Sequence, residues 1–203
     1  MGGSAVTEFY IIQLKSNSTV DGAHEALKSA IAGVKSADGS QKVLFGRQLE
    51  NPNVGVLSVV WSSCDDAKAN HASPASFSAV ADSVASHTLN ADATAVLEAP
   101  TTEIFTGYGA ETGFAENVKD FSEKVDAEKP EGYLGAVHGE VLEEISQAPD
   151  GPKGKAVKLV IGWTSKDAHI EAKGKPGAIA NNIGLLRELR SGGDMFHVQF
   201  KEL

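Results

Sequence analysis

Apolar positions along this chain keep two rhythms: short runs that are apolar on both sides of an extended backbone, and stripes spaced three and four residues apart. From Glu8 to Leu14, Tyr10, Ile12 and Leu14 fall on one side and Phe9 and Ile11 on the other, which predicts a strand covered on both faces. Ser18, Thr19 and Asp21 offer helix-start chemistry, and Ala23, Leu27, Ala30, Ile31 and Val34 follow at helical spacing up to Gly39. Lys42 to Leu49 reads as a second strand, closed by the turn Asn51-Pro52-Asn53, and Val54 to Trp61 as a third. Asp65 opens a helical region that Pro74 interrupts and Phe77, Val80, Ala81 and Val84 continue; Thr94 to Glu98 reads as a fourth strand.

The same order returns. Thr102 to Tyr108 reads as a strand, Phe114, Val118, Phe121 and Val125 as one helix face, and Tyr133 to Leu142 as a strand. A loop rich in Pro, Gly and charge runs from Ser146 to Lys155 before the strand Lys155 to Trp163. Ile179, Ile183, Leu186 and Leu189 mark a helix that Gly192-Gly193 ends, and Met195 to Phe200 closes the chain as a strand. A segment is also repeated outright. Trp61-Ser62-Ser63-Cys64-Asp65, running on to Pro74, matches Trp163-Thr164-Ser165-Lys166-Asp167, running on to Pro176. A period of about half the chain is too long for a solenoid, whose units run to about 20–50 residues. It predicts two β-α-β-β-α-β units, 1–100 and 101–203, packed together across a junction with almost no linker.

Composition narrows the partners. The 203 residues are 41% hydrophobic, enough for a core, and the formal net charge is −9, which argues against nucleic acid. A single cysteine, Cys64, excludes an intrachain disulfide and any multi-cysteine metal site. The start, Met-Gly-Gly-Ser, shows no basic or cleavable apolar leader, Gly2 has no basic patch after it, and no apolar run nears the ~20 residues that span a bilayer. The expected setting is the cytoplasm, with no membrane partner. Gly107-Tyr108-Gly109 lacks the rest of a dinucleotide fingerprint, and neither zinc or iron ligand spacing nor a nucleophile elbow is present, so no cofactor or metal is expected.

The Trp-Ser-Ser-x-Asp motif after the third strand, with His71-Ala-Ser-Pro74-x-x-Phe77 beyond it, resembles the dimeric α/β-barrel superfamily, and within it the antibiotic-biosynthesis-monooxygenase-like family. Members of that family usually pair as homodimers whose two sheets form a barrel. The resemblance therefore implies an α+β fold in which tandem ferredoxin-like units build the barrel within one chain. It implies a cofactor-independent enzyme acting on a small, partly aromatic, polyketide-like metabolite in a barrel cavity, by oxygenation, cyclisation or isomerisation. The competing implication is a non-catalytic small-molecule-binding or stress-associated barrel protein. Polyketide-cyclising relatives carry a His two residues after the Pro and a Tyr about four before it. This chain has Ser76 and Asn70 there, and Ala178 and Ala172 in the second copy.

Within that frame His71, beside the Pro break, is the expected base, its near-neutral titration suiting it to phenolic or enolic protons. Its counterpart is Lys173, so at most one pocket is expected to remain in use. His138 is a second catalytic candidate and His197 a ligand contact, since a polar residue on a barrel strand can face the lumen. Tyr10 and Tyr108 are candidates to orient a ligand by hydroxyl contact, and Trp61 and Trp163 to stack on it, although core packing is the commoner role for all four. His24, His87 and His169 lie in amphipathic or polar stretches and read as surface. Homo-oligomerisation is left open.

Overall fold

A computed structural model describes residues 4–15, 27–28 and 31–203. Ser18, Thr19, Asp21, Ala23, His24 and Ala30 of the first expected helix lie outside those residues; residues 31–35 are helical, with Ile31 and Val34 buried.

Nine strands among the described residues form two antiparallel sheets. The first contains β1 (Val6–Leu14), β2 (Ser40–Arg47), β3 (Val54–Trp61) and β4 (Ala81–Leu89), with the two-residue β9 (Lys201–Glu202) at its edge, in the order β4-β1-β3-β2-β9. The second contains β5 (Thr101–Tyr108), β6 (Tyr133–Glu140), β7 (Ala156–Trp163) and β8 (Gly192–Val198), in the order β6-β7-β5-β8. The centre strands β3 and β7 are buried at every residue, as their continuous apolar runs require. The helices are α1 (Cys64–Asn70), α2 (Thr94–Leu97), α3 (Phe114–Glu128), α4 (Lys166–Gly174) and α5 (Ala178–Asn182), with 3₁₀ turns at Pro74–Phe77 and Ile183–Leu186. No helix among the described residues is long and apolar enough to cross a membrane.

The repeated motif has a local explanation. Ser63 and Ser165 are N-caps: each side chain accepts the backbone N–H three residues on, from Asp66 at 3.1 Å and from Ala168 at 3.0 Å. Pro74 then starts the 3₁₀ turn in the first half, and Pro176 separates α4 from α5 in the second.

Several of the expected elements come out differently. Residues 81–89 are strand β4 rather than the continuation of a helix, since the segment pairs with β1 along its length. Thr94 to Leu97 is a helical turn rather than a strand, with Val96 and Leu97 in the core. Gly192-Gly193 opens β8 instead of ending the helix, which stops in the 3₁₀ turn.

The two sheets close on each other along both edges. Between β4 and β6, Asn90 N–H donates to the Glu140 carbonyl at 3.0 Å and Leu142 N–H to that of Thr88 at 2.9 Å. Between β2 and β8, Leu49 N–H donates to the His197 carbonyl at 2.9 Å, and Gln48 bridges Val198. The architecture is an α/β barrel made by one chain. Its interior is filled: Phe9, Leu44, Val56 and Val60 of the first sheet meet Ile104, Val160, Phe196 and Val198 of the second. Lys158 is buried there too, its ammonium donating to Thr106 Oγ1 at 2.6 Å and lying over the Phe9 ring. The expectation of a ligand in the lumen is therefore corrected, because large apolar side chains from both sheets occupy that space.

Candidate functional site

Each half carries the same buried clip. In the first, Trp61 at the end of β3 donates its indole N–H to Glu8 of β1 at 3.0 Å; in the second, Trp163 at the end of β7 donates to Glu103 of β5 at 2.9 Å. The registers match, Glu8 opposite Val59 and Glu103 opposite Ile161. All four residues point to the outer, helix-covered sheet faces, so both tryptophans are fully buried anchors. The cover over the clip differs between the halves.

Over Glu8 stands His71, just past the end of α1, with Nδ1 2.5 Å from Glu8 Oε1 and 3.3 Å from the Tyr10 hydroxyl. Tyr10 stacks on the His71 ring, packs against Phe77, and accepts the Ala72 backbone N–H at 2.8 Å. Burial, the neighbouring Glu8 charge and its hydrogen bond raise the Tyr10 pKa, opposed by the Ala72 bond, so it stays a phenol. Tyr10 and Phe77 thus fill the space on one side of the first clip, while on the other Glu8 and His71 border an open cleft of about 290 Å³ beside Cys64 and Leu142.

Over Glu103 the packing opens instead. Phe105 stands at the register position of Tyr10, Ile179 follows Pro176 at the spacing at which the bulkier Phe77 follows Pro74, and Lys173 takes the place of His71. The result is a cavity of about 180 Å³ between the second sheet and its helices. Its wall is almost wholly apolar, from Phe105, Phe121, Ile161, Ile179, Leu186 and Met195, with the Glu103–Trp163 clip as its polar floor. Lys173, Arg187 and Arg190 line it as well, and none of the three makes a salt bridge among the described residues. Arg190 lies over the Phe105 ring.

Burial pushes the Glu103 carboxyl up to about 7, against the indole hydrogen bond and the Lys173 charge, which favour the anion, while Glu50 works with burial. His169 of α4 covers the carboxyl, Nε2 at 3.5 Å from Oε2, with its ring stacked on Trp163. Burial first, then the neighbouring His197 and Lys173, push His169 down to about 4, so it is neutral near pH 7. His169 Nδ1 in turn meets His197 Nε2 at 2.8 Å. Glu103, His169 and His197 each offer one donor atom within 4.8 Å of the others, so they are the described residues that could hold a cation.

Of the residues singled out from sequence, Trp163 lines this cavity and His197 backs it. His71, Tyr10 and Trp61 meet in the first half. Tyr108 stands apart in a small cluster with Val141, Ile145 and Ala156. His138 is half-buried on β6, where Lys119 and Glu123 are its charged neighbours. Four residues went unrecognised or misread. His169 is 4% exposed rather than at the surface, and Glu103 and Glu50 were not singled out. A carboxylate inside a strand with two apolar faces was the available signal for Glu103. His87 is also buried, because β4 turns it toward the barrel interior beside Phe9.

No family model matches this chain, and no curated protein matches it. Solved structures do. An anthrone oxidase-like protein superposes over 100% of this chain and 95% of its own with a TM-score of 0.73 at 12% identity. A protein of Fusobacterium nucleatum, named as a candidate monooxygenase, covers 100% and 95% with a TM-score of 0.63 at 14% identity. Another so named, from Lactobacillus acidophilus, covers 97% and 94% with a TM-score of 0.60 at 10% identity. The chain has the dimeric α/β-barrel fold, with tandem ferredoxin-like units in one polypeptide. At these identities the likeness is one of fold.

Proposed function

We propose that this protein is a cofactor-independent oxygenase-type enzyme whose site is the cavity of the second half, taking residues 1–100 and 101–203 as the two units. The observation that carries the reading is a near-neutral carboxyl, Glu103, at the floor of a half-open, mainly apolar cavity sized for a small aromatic molecule. Glu103, rather than His71, is then the base. As carboxylate it takes a proton from a carbon held acidic by a neighbouring aryl ketone. The delocalised carbanion adds dioxygen, and the resulting hydroperoxide loses water to leave a ketone, so CH₂ and O₂ give C=O and H₂O. Trp163 fixes the carboxyl, and Phe105 and Phe121 pack on the rings. The cations Lys173, Arg187 and Arg190 favour a substrate that is, or becomes, an anion.

The test uses anthrone, incubated with purified protein in air and under argon and followed by mass detection. The expected result is an oxygen-dependent product that gains one oxygen and loses two hydrogens. Glu103→Gln is expected to slow it roughly 10²-fold, within the range for general acid–base groups, while Glu8→Gln leaves it unchanged. Retention of anthrone without turnover would instead assign the cavity to binding alone.

A further inference from the structure

Glu50 lies in the turn after β2, in the first half of the chain, yet both its carboxylate oxygens engage His197 of β8. Oε1 is 2.7 Å from the ring Nδ1, and Oε2 accepts the backbone N–H at 2.9 Å. Lys166, at the start of α4, holds Oε1 from the other side at 2.8 Å. Burial alone would raise this carboxyl, but the hydrogen bonds from His197 and Lys166 prevail and hold it down at about 2. Glu50 is thus a fixed anion. A fixed anion orders what lies behind it: Glu50 accepts from His197 Nδ1–H, and the contact between His197 Nε2 and His169 Nδ1 then runs from His169 Nδ1–H to His197 Nε2. That leaves His169 Nε2 bare and facing Glu103. The first three side chains are at most 10% exposed, and the series reaches solvent at its outer end, where Glu50 and Lys166 are each 34% exposed.

We infer that Glu103, His169, His197 and Glu50 form a proton path from the cavity floor to the surface, with its outer end supplied by the first half of the chain. The inference rests on the reading of Glu103 as a base. A proton taken from the ligand moves from Glu103 to His169 Nε2; the proton on His169 Nδ1 moves to His197 Nε2; the proton on His197 Nδ1 moves to Glu50, which releases it to water. Each ring ends with one proton, on the opposite nitrogen, neither ring is left charged, and Glu103 is again the carboxylate. The one loose link is the 3.5 Å between Glu103 and His169, of the kind that tightens when a ligand closes over it. The two imidazoles face each other along a hydrogen bond: ring centres lie 5.0 Å apart and the nitrogens 2.8 Å, so the nitrogens sit near the line between the centres. A cation shared by both rings would draw them off that line. His197 and Glu50 are positioning residues in this scheme, and Glu103 and His169 are the members of the path that line the cavity.

Nitrogen-15 spectra of the histidine rings test the path without any substrate, so its failure is distinct from failure of the enzymatic reading. In the intact protein near neutral pH both His169 and His197 are expected as the Nδ1–H tautomer. In Glu50→Leu, the loss of the acceptor is expected to turn both rings to Nε2–H together. In Glu50→Gln, where Lys166 keeps the amide oxygen facing His197, the original sense is expected to persist. A His169 protonated on Nε2 in the intact protein, a doubly protonated His197, or a Glu50→Leu change confined to His197 would each overturn the path. So would stoichiometric uptake of added Co²⁺ that is lost in His169→Gln, which would give the trio to a metal ion. The intact-protein spectra decide the matter even if a variant fails to fold.

Discussion

Glu103 shows how one residue's surroundings set its chemistry. Its folded-state value near 7 lies above the ordinary 4.5, so the folded chain holds this proton more tightly than the unfolded chain does. The group therefore favours folding at low pH, and that contribution is lost as pH climbs from 4.5 through about 7. Glu103→Gln keeps an acceptor for the Trp163 indole and removes the titration. Denaturant unfolding of both proteins is expected to show the difference in stability moving in the variant's favour by roughly 3 kcal/mol between acid and mildly alkaline pH. A parallel pair of curves would mean that the carboxyl is far better solvated than its burial implies. Little of this was legible beforehand. His169 sits among Asp167, Glu171 and Lys173, and nothing in that stretch reveals that the Trp163 ring stacks on it and that His197, remote in sequence, backs it.

At the scale of elements, the strands were legible because burial on both faces leaves an uninterrupted apolar run, as in β3 and β7. The pattern failed for β4, an edge strand of the first sheet whose apolar residues mimic helical spacing, and for Thr94–Leu97, whose β-branched residues suit a strand but pack as a helical turn. The break at each Pro was legible, but the effect of side-chain size three places beyond it was not. Phe77 seals the first half, and the smaller Ile179 leaves the second open. Ile179→Phe should therefore copy the first half into the second. Turnover or binding of anthrone is expected to be lost while the unfolding free energy changes by about 1–3 kcal/mol or less, since the added ring enters existing space. Undiminished binding would place the ligand elsewhere.

At the scale of the molecule, the seams of the barrel include the backbone hydrogen bonds of Asn90, Leu142 and Leu49, with β9 pairing on β2 and Glu143 and Glu50 bridging by their side chains. The filled interior joins the two sheets in one apolar cluster, so the halves should open together rather than one at a time. Hydrogen exchange is expected to protect these three amides to the same degree as the centre of β3. Exchange at loop rates along the seams would mean that the sheets separate independently. That two units would pack was legible from the repeat and the absent linker. That one unit would reach into the other's site was not, because Glu50 occupies an ordinary turn whose partner arrives only at His197.

The duplicated Trp–Glu clip gives this protein something single-unit barrels lack, a reference copy under the same roof. Glu8 and Glu103 share a strand position, an indole donor and a neighbouring histidine, yet one borders a cleft beside His71 with Tyr10 and Phe77 packed next to it, and the other opens on an apolar cavity. Any substitution at one clip can be judged against its twin in the same tube, at the same temperature and salt. An effect seen at both is upkeep of the scaffold, and an effect seen only at Glu103 belongs to the work done above it.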